Sequence, residues 1–235
     1  MLVGSCQAGS APTPVWMGAN VKVSANAPWG SAAAASSLRN LADAGARRAL
    51  LVAFVWQANP TSDDPVLGSD SDVVHMRAAL RQAREAGLAP VLKVHVWIPG
   101  HWAGEVEPRD RAAWFAAYQR ALVQLAEVAQ SEGAEALVVG TELRRLQAAP
   151  QWPGLVAAVR AVYRGPLLYV ADGLEHAETF PHWQLFDAIG TSLYPRLSEA
   201  PATRQREMEA AAVRLRTLGL REHRPVWVAE LGLRS

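Results

Sequence analysis

The sequence predicts an α/β fold, a (β/α)8 barrel of the TIM type, and three observations carry that prediction. Short apolar runs rich in β-branched residues recur along the chain and read as strands buried on both faces, the pattern of a parallel sheet. Helical stretches of roughly 10–20 residues separate them, which indicates right-handed βαβ units. Several runs also stop abruptly on polar or acidic residues, as strands do where their C-terminal ends form the mouth of a barrel. The clearest is Ala136-Leu137-Val138-Val139-Gly140-Thr141-Glu142, and Pro225-Val226-Trp227-Val228-Ala229-Glu230 repeats its ending.

Val15 to Val23 reads as the first strand, followed by an Ala/Leu-rich helix over Ser31 to Ala46 that Asp43-Ala44-Gly45 closes. Arg48 to Trp56 is a second strand, apolar almost throughout, and a polar loop, Gln57 to Asp64, follows it. The next helix starts near Asp70, with Ser69 or Ser71 as its N-cap and Gly87 as its C-cap. Ala89 to Trp97 gives the third strand, and the loop Ile98 to Pro108 carries His101 and Trp102. Arg109-Asp110 open a long helix that runs to about Glu132 and ends at Gly133. Ala136 to Glu142 is the fourth strand. The helix Trp152 to Tyr163 is broken by Arg164-Gly165-Pro166 before the fifth strand, Leu167 to Ala171. Asp187 to Tyr194 is the sixth, and a basic, Ala-rich helix from about Thr203 to Leu218 leads to the seventh, Pro225 to Glu230. No eighth βα unit, ~30 residues in a usual barrel, is recognised. The expectation is therefore a barrel that is incomplete or that closes by another arrangement. An open doubly wound sheet is the rival, but no Gly-x-Gly-x-x-Gly follows the first strand and no phosphate loop is present.

With 235 residues, half of them hydrophobic, the chain is long enough to bury a large core as one domain. That domain is expected over 15–235, after a flexible Ala/Gly/Ser/Pro/Thr-rich leader at 1–14. The 23 basic and 22 acidic residues leave a net charge of +1, so no strong field favours nucleic acid or an anionic membrane. No run reaches the ~18 apolar residues needed to cross a bilayer. The single cysteine, Cys6, excludes an intramolecular disulfide and a Cys-based zinc cluster. Met1 to Cys6 resembles the end of a bacterial lipoprotein signal without its basic and long apolar regions. The implied location is secreted or lipid-anchored at a bacterial cell surface, or cytoplasmic if the leader is no signal remnant. His101, His176 and His182 do not fall at metal-ligand spacing, so neither metal nor other cofactor is expected.

Two carboxylates on facing strand ends are what hydrolysis of a glycosidic bond requires. One protonates the departing oxygen and the other meets the positive charge at the anomeric carbon. A single Glu at a strand end is as readily a solvated loop residue or an ion-pair partner, with Arg144 and Arg145 beside Glu142. The repeated ending at Glu230 is what favours the chemical reading. Of nine Trp, Trp114, Trp152 and Trp227 suit the core. Trp56, Trp97 and Trp102 stand at strand ends and loops, where an aromatic face can stack on the C–H face of a pyranose. Lys93 and His95 share one face of the third strand and suit sugar hydroxyls, although His95 equally suits a satisfied core position. Asp172, at a strand end, suits the cleft, whereas Asp187 suits a cap on a helix-strand turn. The Arg-rich helix over Arg204 to Arg216 reads as a solvated outer face.

Gly140-Thr141-Glu142-Leu143 and Ala229-Glu230-Leu231-Gly232-Leu233-Arg234-Ser235 resemble the acid/base and nucleophile motifs of glycoside hydrolase family 113, retaining β-mannanases of the (β/α)8 clan A. Trp56-Gln57, Leu92 to Trp97, Trp114 to Tyr118 and Ile189 to Pro195 match in the same order, so the similarity covers nearly the whole chain after Gly18. The resemblance implies that Glu142 is the general acid/base, Glu230 the nucleophile and a mannan-type polysaccharide or oligosaccharide the substrate. An apolar setting and a second carboxylate would raise the pKa of the proton donor, which agrees with that assignment. Trp56, Gln57, Lys93, His95, Trp97, Trp102, Thr141, Asp172 and Tyr194 are then the expected substrate-binding set, with Tyr194 also placed to hold the nucleophile by a hydrogen bond. Two departures stand out. Thr141 occupies the position before the acid/base where clan A usually has Asn, and the unrecognised eighth strand is the one that carries an aromatic floor in the clan. The alternatives are a carbohydrate-binding barrel without turnover, or a β-glycosidase acting on glucan or xylan.

Overall fold

The computed structural model describes residues 17–195, 198 and 200–232. The 1–14 leader, Cys6, Val15 and Trp16 of the expected first strand, and Leu233 to Ser235 lie outside the described residues.

Seven parallel strands form one curved sheet: β1 (Gly18–Val21), β2 (Arg48–Trp56), β4 (Ala89–Trp97), β5 (Ala136–Thr141), β6 (Leu167–Ala171), β7 (Ala188–Leu193) and β8 (Val226–Leu231), hydrogen-bonded in that order. The remaining strand, β3 (Val66–Leu67), is a two-residue antiparallel segment on the end of β2, pairing Leu67 with Val55 and Val66 with Trp56. It is a lip beside Trp56 and not a further βα unit. Helices α1 (Ala32–Asp43), α2 (Val73–Glu85), α3 (Arg111–Ser131), α4 (Trp152–Arg160), α5 (Gly173–Thr179) and α6 (Pro201–Glu222) alternate with the parallel strands. The sheet nearly closes as a barrel. Its two end strands meet where the Asn20 side-chain amide on β1 donates to the Ala229 carbonyl on β8 across 2.8 Å. Among the described residues no backbone ladder joins β1 to β8, so a side chain closes this seam. Among the described residues no helix is long and apolar enough to cross a membrane.

Strand burial explains the continuous apolar runs. Every residue of β5, β6 and β7 is buried, because helices cover one face and the barrel interior fills the other. Alternation along each strand sends side chains to these two places in turn. Leu50, Val91, Ala136, Val138, Leu168, Val170, Ala188 and Ala229 fill the interior. The larger core lies between sheet and helices, built on Leu51, Leu92, Leu137, Val139, Leu167, Tyr169 and Ile189 and on helix residues such as Leu80, Trp114, Tyr118 and Trp152. Trp114 and Trp152 are fully buried there, Trp114 stacked on Tyr118 at 4.8 Å between centroids.

Helix starts follow cap chemistry. Ser31 accepts from the Ala34 N–H for α1 and Asp110 from the Ala113 N–H for α3. For α2 the cap is Asp72, which accepts from the His75 N–H at 2.9 Å, and not Ser69 or Ser71. Ser71 is fully buried, and its hydroxyl is taken by the Phe54 N–H and the Asp70 carboxylate. The seven-residue α5 and the two-residue β3 were not foreseen.

At the end of α3, Glu132 is nearly buried under α2 and receives Arg81, Arg84 and Arg77 at 2.9, 3.0 and 3.3 Å. The Arg81 hydrogen bond, helped by the charges of all three arginines, holds its carboxyl below the usual range against the effect of burial. Because the folded-state pKa is lowered, this contribution to stability is present above the unfolded carboxylate range and is lost as pH falls through the folded value. Glu132→Ala should cost about 2 kcal/mol, the scale of hydrogen bonds to charged groups. For a chain of this size that lowers Tm by roughly 4–8 °C, and the deficit should shrink in thermal melts as the pH is taken below 4.

Candidate active site

Two glutamates stand at the C-terminal mouth of the strands, and each follows an irregularity in the sheet. Between β5 and β6 the pairing runs from Val138 opposite Leu168 to Thr141 opposite Val170, so β5 carries one extra residue. Between β7 and β8 it runs from Thr191 opposite Val228 to Ser192 opposite Glu230, so β8 carries the extra residue, Ala229. Such bulges re-aim the side chains that follow them. Glu142 comes immediately after the first with φ 54°, left-handed backbone that a residue with a Cβ seldom adopts. Its N–H still donates to the Val170 carbonyl at 2.8 Å. Glu230 comes immediately after the second, where the displaced Ala229 carbonyl is the one that Asn20 caps.

The two carboxylates face one cleft of about 610 Å³, lined also by His95, Trp102, Arg144, Asp172, Ser192 and Tyr194. Their surroundings differ. Glu142 accepts the Trp102 indole N–H on Oε2 at 2.7 Å and the Ser192 hydroxyl on Oε1. Burial pushes its pKa up, and the nearby charges of Glu230 and Asp172 add to that. The two hydrogen bonds oppose the shift without cancelling it. Glu230 is half-buried, which alone would raise its pKa. The Lys93 ammonium bonds to Oε1, Tyr194 Oη donates to Oε2 at 2.7 Å, and together they hold Glu230 below the usual carboxylate range. The cleft therefore contains one carboxyl disposed to keep a proton and one disposed to lose it.

Lys93 is only 2% exposed. It lies two residues beyond Val91, so it projects into the barrel interior on the same face. There it also donates to the Asn20 side-chain carbonyl at 2.9 Å. Burial pulls its pKa down, and the carboxylates of Glu230 and Glu142 push back. His95, two residues higher, has its pKa lowered to about 4 by burial and by Lys93, so the ring is neutral near pH 7. Two glycines permit these placements. A Cβ on Gly232 would lie 2.4 Å from the Tyr194 ring, and one on Gly104 would lie 2.3 Å from the Trp102 ring. Each glycine lets an aromatic side chain lie flat against the backbone while it reaches a glutamate.

Of the residues expected from sequence, Lys93, His95, Trp102, Asp172 and Tyr194 gather around Glu142 and Glu230. Trp102 presents its N–H to Glu142, an edge contact with the site. Trp56 and Trp97 are register partners on β2 and β4, both substantially exposed. They line a side arm in which a cavity of about 370 Å³ (Lys22, Phe54, Lys93, His95, Trp97, Glu230) leads to one of about 540 Å³ under β3 (Trp56, Val66, Ser69, Asp70). Gln57 and Thr141 are not presented to the cleft. Gln57 is 2% exposed, accepting from the Trp114 indole N–H at 2.8 Å and donating to the Asn59 carbonyl. Thr141 is fully buried and donates to the Val94 carbonyl at 3.0 Å. In a strand, neighbours point to opposite faces, so the residues beside Trp56 and Glu142 turn away from the cleft. Sequence reasoning assigned no role to Asn20 or Ser192, and weighed Arg144 only as an ion-pair neighbour of Glu142. Asn20 is the single polar residue of β1, and Thr191-Ser192 is a polar pair in an otherwise apolar β7, and that was the available signal.

A nearly closed parallel barrel with this cleft at the C-terminal ends of its strands places the chain among the (β/α)8 glycosidase barrels. The model of glycoside hydrolase family 113 matches residues 20–235, and the chain belongs to that family. Among solved structures it is similar to a GH113 β-mannanase from Alicyclobacillus acidocaldarius in complex with ManMIm, at 23% identity and a TM-score of 0.77 over 87% of this chain and 66% of that one. A complex structure of a GH113 β-1,4-mannanase matches at 19% identity and 0.74, over 84% and 66%. The endoglucanase Cel5A of Thermotoga maritima matches at 13% and 0.64, over 84% and 71%. At these identities the likeness shows the fold. The chain spans 66% of the length of the two mannanases. No curated protein matches it.

Tyr194→Phe removes one hydrogen bond that lowers the Glu230 pKa, and Gly232→Ala should push the same ring off the carboxylate. In both variants the Glu230 carboxyl, followed by carbon-13 NMR of labelled glutamate, should titrate at higher pH than in the parent protein. An unchanged midpoint would mean that Tyr194 does not hold Glu230 in solution.

Proposed function

We propose that this chain is a retaining β-mannanase, with Glu142 as general acid/base and Glu230 as nucleophile. The observation that carries the reading is the pair of glutamates in one cleft with their pKa values pushed in opposite directions. In the first step the Glu230 carboxylate attacks the anomeric carbon while Glu142 gives its proton to the departing glycosidic oxygen. A glycosyl ester of Glu230 results, and Glu142 is left as a carboxylate. Water then attacks the same carbon, Glu142 takes its proton, and the ester bond to Glu230 breaks to restore the starting state. Lys93 and Tyr194 keep the nucleophile ionised before attack. Neutral His95 beside it offers a hydrogen-bonding group without a second positive charge.

Substrate identity rests on family membership and on the shape of the cleft. The side arm with Trp56 and Trp97 gives flat apolar faces several residues from the glutamates. That suits further sugar rings of a polymer better than a single monosaccharide. The β-mannanases among the similar structures support mannan over glucan or xylan.

Purified protein should release oligosaccharides from β-1,4-mannan faster than from glucan or xylan, with the anomeric configuration retained when the first product is followed by proton NMR. Glu142→Gln should lose about 10²- to 10⁴-fold in rate on the polymer, and Glu230→Gln ~10⁴-fold or more. Azide added to Glu142→Ala should yield a β-glycosyl azide, and to Glu230→Ala the α-anomer. Binding of mannan oligosaccharides without any product would favour a carbohydrate-binding barrel. Rates unchanged in both Gln variants would remove the assignment of roles.

A further inference from the structure

Glu142 must carry a proton in one half of the proposed cycle and none in the other, so the groups that touch it have to serve both states. The Trp102 indole N–H is a donor with no acceptor capacity. At 2.7 Å from Oε2 it can hold the carboxyl in only one way. Ser192 is different. It is 1% exposed on β7, its hydroxyl oxygen accepts the Gly173 N–H at 3.3 Å, and its hydrogen has two acceptors in reach: Glu142 Oε1 and the Ala171 carbonyl at 3.4 Å. A hydroxyl rotates to suit its partners. The Gly173 N–H fixes the oxygen while leaving that rotation open.

We infer that Ser192 is a positioning residue for Glu142, whose hydroxyl donates to the carboxylate and turns to the Ala171 carbonyl when the carboxyl carries its proton. The inference rests on Glu142 being the acid/base. The hydroxyl hydrogen stays on Ser192 throughout; only its acceptor changes. After Glu142 has protonated the departing oxygen, the new negative charge meets a donor already within reach, without movement of the buried backbone. When Glu142 takes the proton from water, the hydroxyl turns back to the Ala171 carbonyl.

The charged and titratable groups facing Glu142 are Lys93 and His95 from β4, Arg144 beyond β5, Asp172 before α5, Tyr194 beyond β7 and Glu230 from β8. The Tyr169 phenol adds to these from the outer core. None of them contacts Oε1 as Ser192 does. The sign of the expected effect follows. Ser192 stabilises the charged form, so its removal should move Glu142 to a higher pKa and carry the alkaline limb of kcat/KM, where the acid loses its proton, upward with it.

The test compares Ser192→Ala and Ser192→Thr with the parent protein, each shown to be folded by its thermal melt. Carbon-13 NMR of labelled glutamate, with Glu142 assigned through Glu142→Gln, should show the Glu142 midpoint raised in Ser192→Ala and returned toward the parent value in Ser192→Thr, which keeps a hydroxyl. On mannan, Ser192→Ala should lose roughly tenfold in kcat/KM, the scale of one charge-assisted hydrogen bond, with its alkaline limb at higher pH. Ser192→Cys, with a weak donor of similar size, stands in if the alanine variant does not fold and should give an intermediate shift. A Glu142 midpoint unchanged in a folded variant lacking the hydroxyl overturns the inference. The titration needs no turnover, so a parent protein that hydrolyses no β-glycan would defeat the proposed function while leaving Ser192 to be decided by its own measurement.

Discussion

The contact on which the cleft depends is the ion pair between Lys93 and Glu230 inside the barrel. A buried ammonium is costly unless its charge and its hydrogens are met. Here they are met from both sides, by the Glu230 carboxylate from β8 and by Asn20 from β1. One side chain on β4 thus joins three strands, two of which lie on either side of the seam that no ladder crosses. The pair is a poor device for stability alone, since an apolar pair of similar volume would avoid the desolvation. Its effect is on position and charge. It holds the Glu230 pKa down where burial alone would raise it, and it fixes the carboxylate at the bulge that aims it into the cleft.

Glu142 is handled in the opposite way. Among the described residues no cation bonds to its carboxylate; an indole N–H and a hydroxyl do, and both are neutral donors. Neutral donors orient a carboxyl and temper its pKa without pinning it to the charged form, whereas an ammonium would. The same barrel rim therefore produces two protonation settings from one residue type, and the difference lies in what stands behind each carboxylate. Glu142 also occupies left-handed backbone. Such a conformation persists only where surrounding contacts over-determine it, and here the β5 bulge, the bond to the Val170 carbonyl and the two side-chain donors do so.

Much of this was legible in the residues, and the parts that were not share a cause. Strands buried on both faces write themselves as uninterrupted apolar runs, so β2, β4 and β6 have the bounds expected of them. Lys93 and His95 at i and i+2 had to share a face, and the two glutamates were visible because each ends such a run. A bulge, by contrast, is a relation between two strands, and neither strand's sequence declares it. The same holds for the α2 cap, where Ser71 reads as a cap until Phe54 claims its hydroxyl. β3 and α5 are too short to show a period, and the residue preceding α5, Asp172, makes no side-chain cap bond. Gln57 and Thr141 were grouped with the site because they stand in the motifs that carry the family resemblance. Strand alternation alone places them opposite Trp56 and Glu142, and that argument was available from the sequence.

The seam between β1 and β8 bears unequally on the two halves of the site. Among the described residues, the groups that hydrogen-bond the Glu142 side chain and N–H come from β6, β7 and the loop after β4, all within the continuous part of the sheet. Glu230 sits on the strand whose outer edge has no ladder, and the residue before it is tied to β1 by one amide. An edge strand has one row of backbone groups without partners and more freedom than a central one. What holds Glu230 in place is therefore its link through Lys93 to β4 and its bond to Tyr194, packed against Gly232. The position of Glu230 is set by side chains to a degree that the position of Glu142 is not, which is why the buried lysine, and not the ladder, is the element this cleft can least do without.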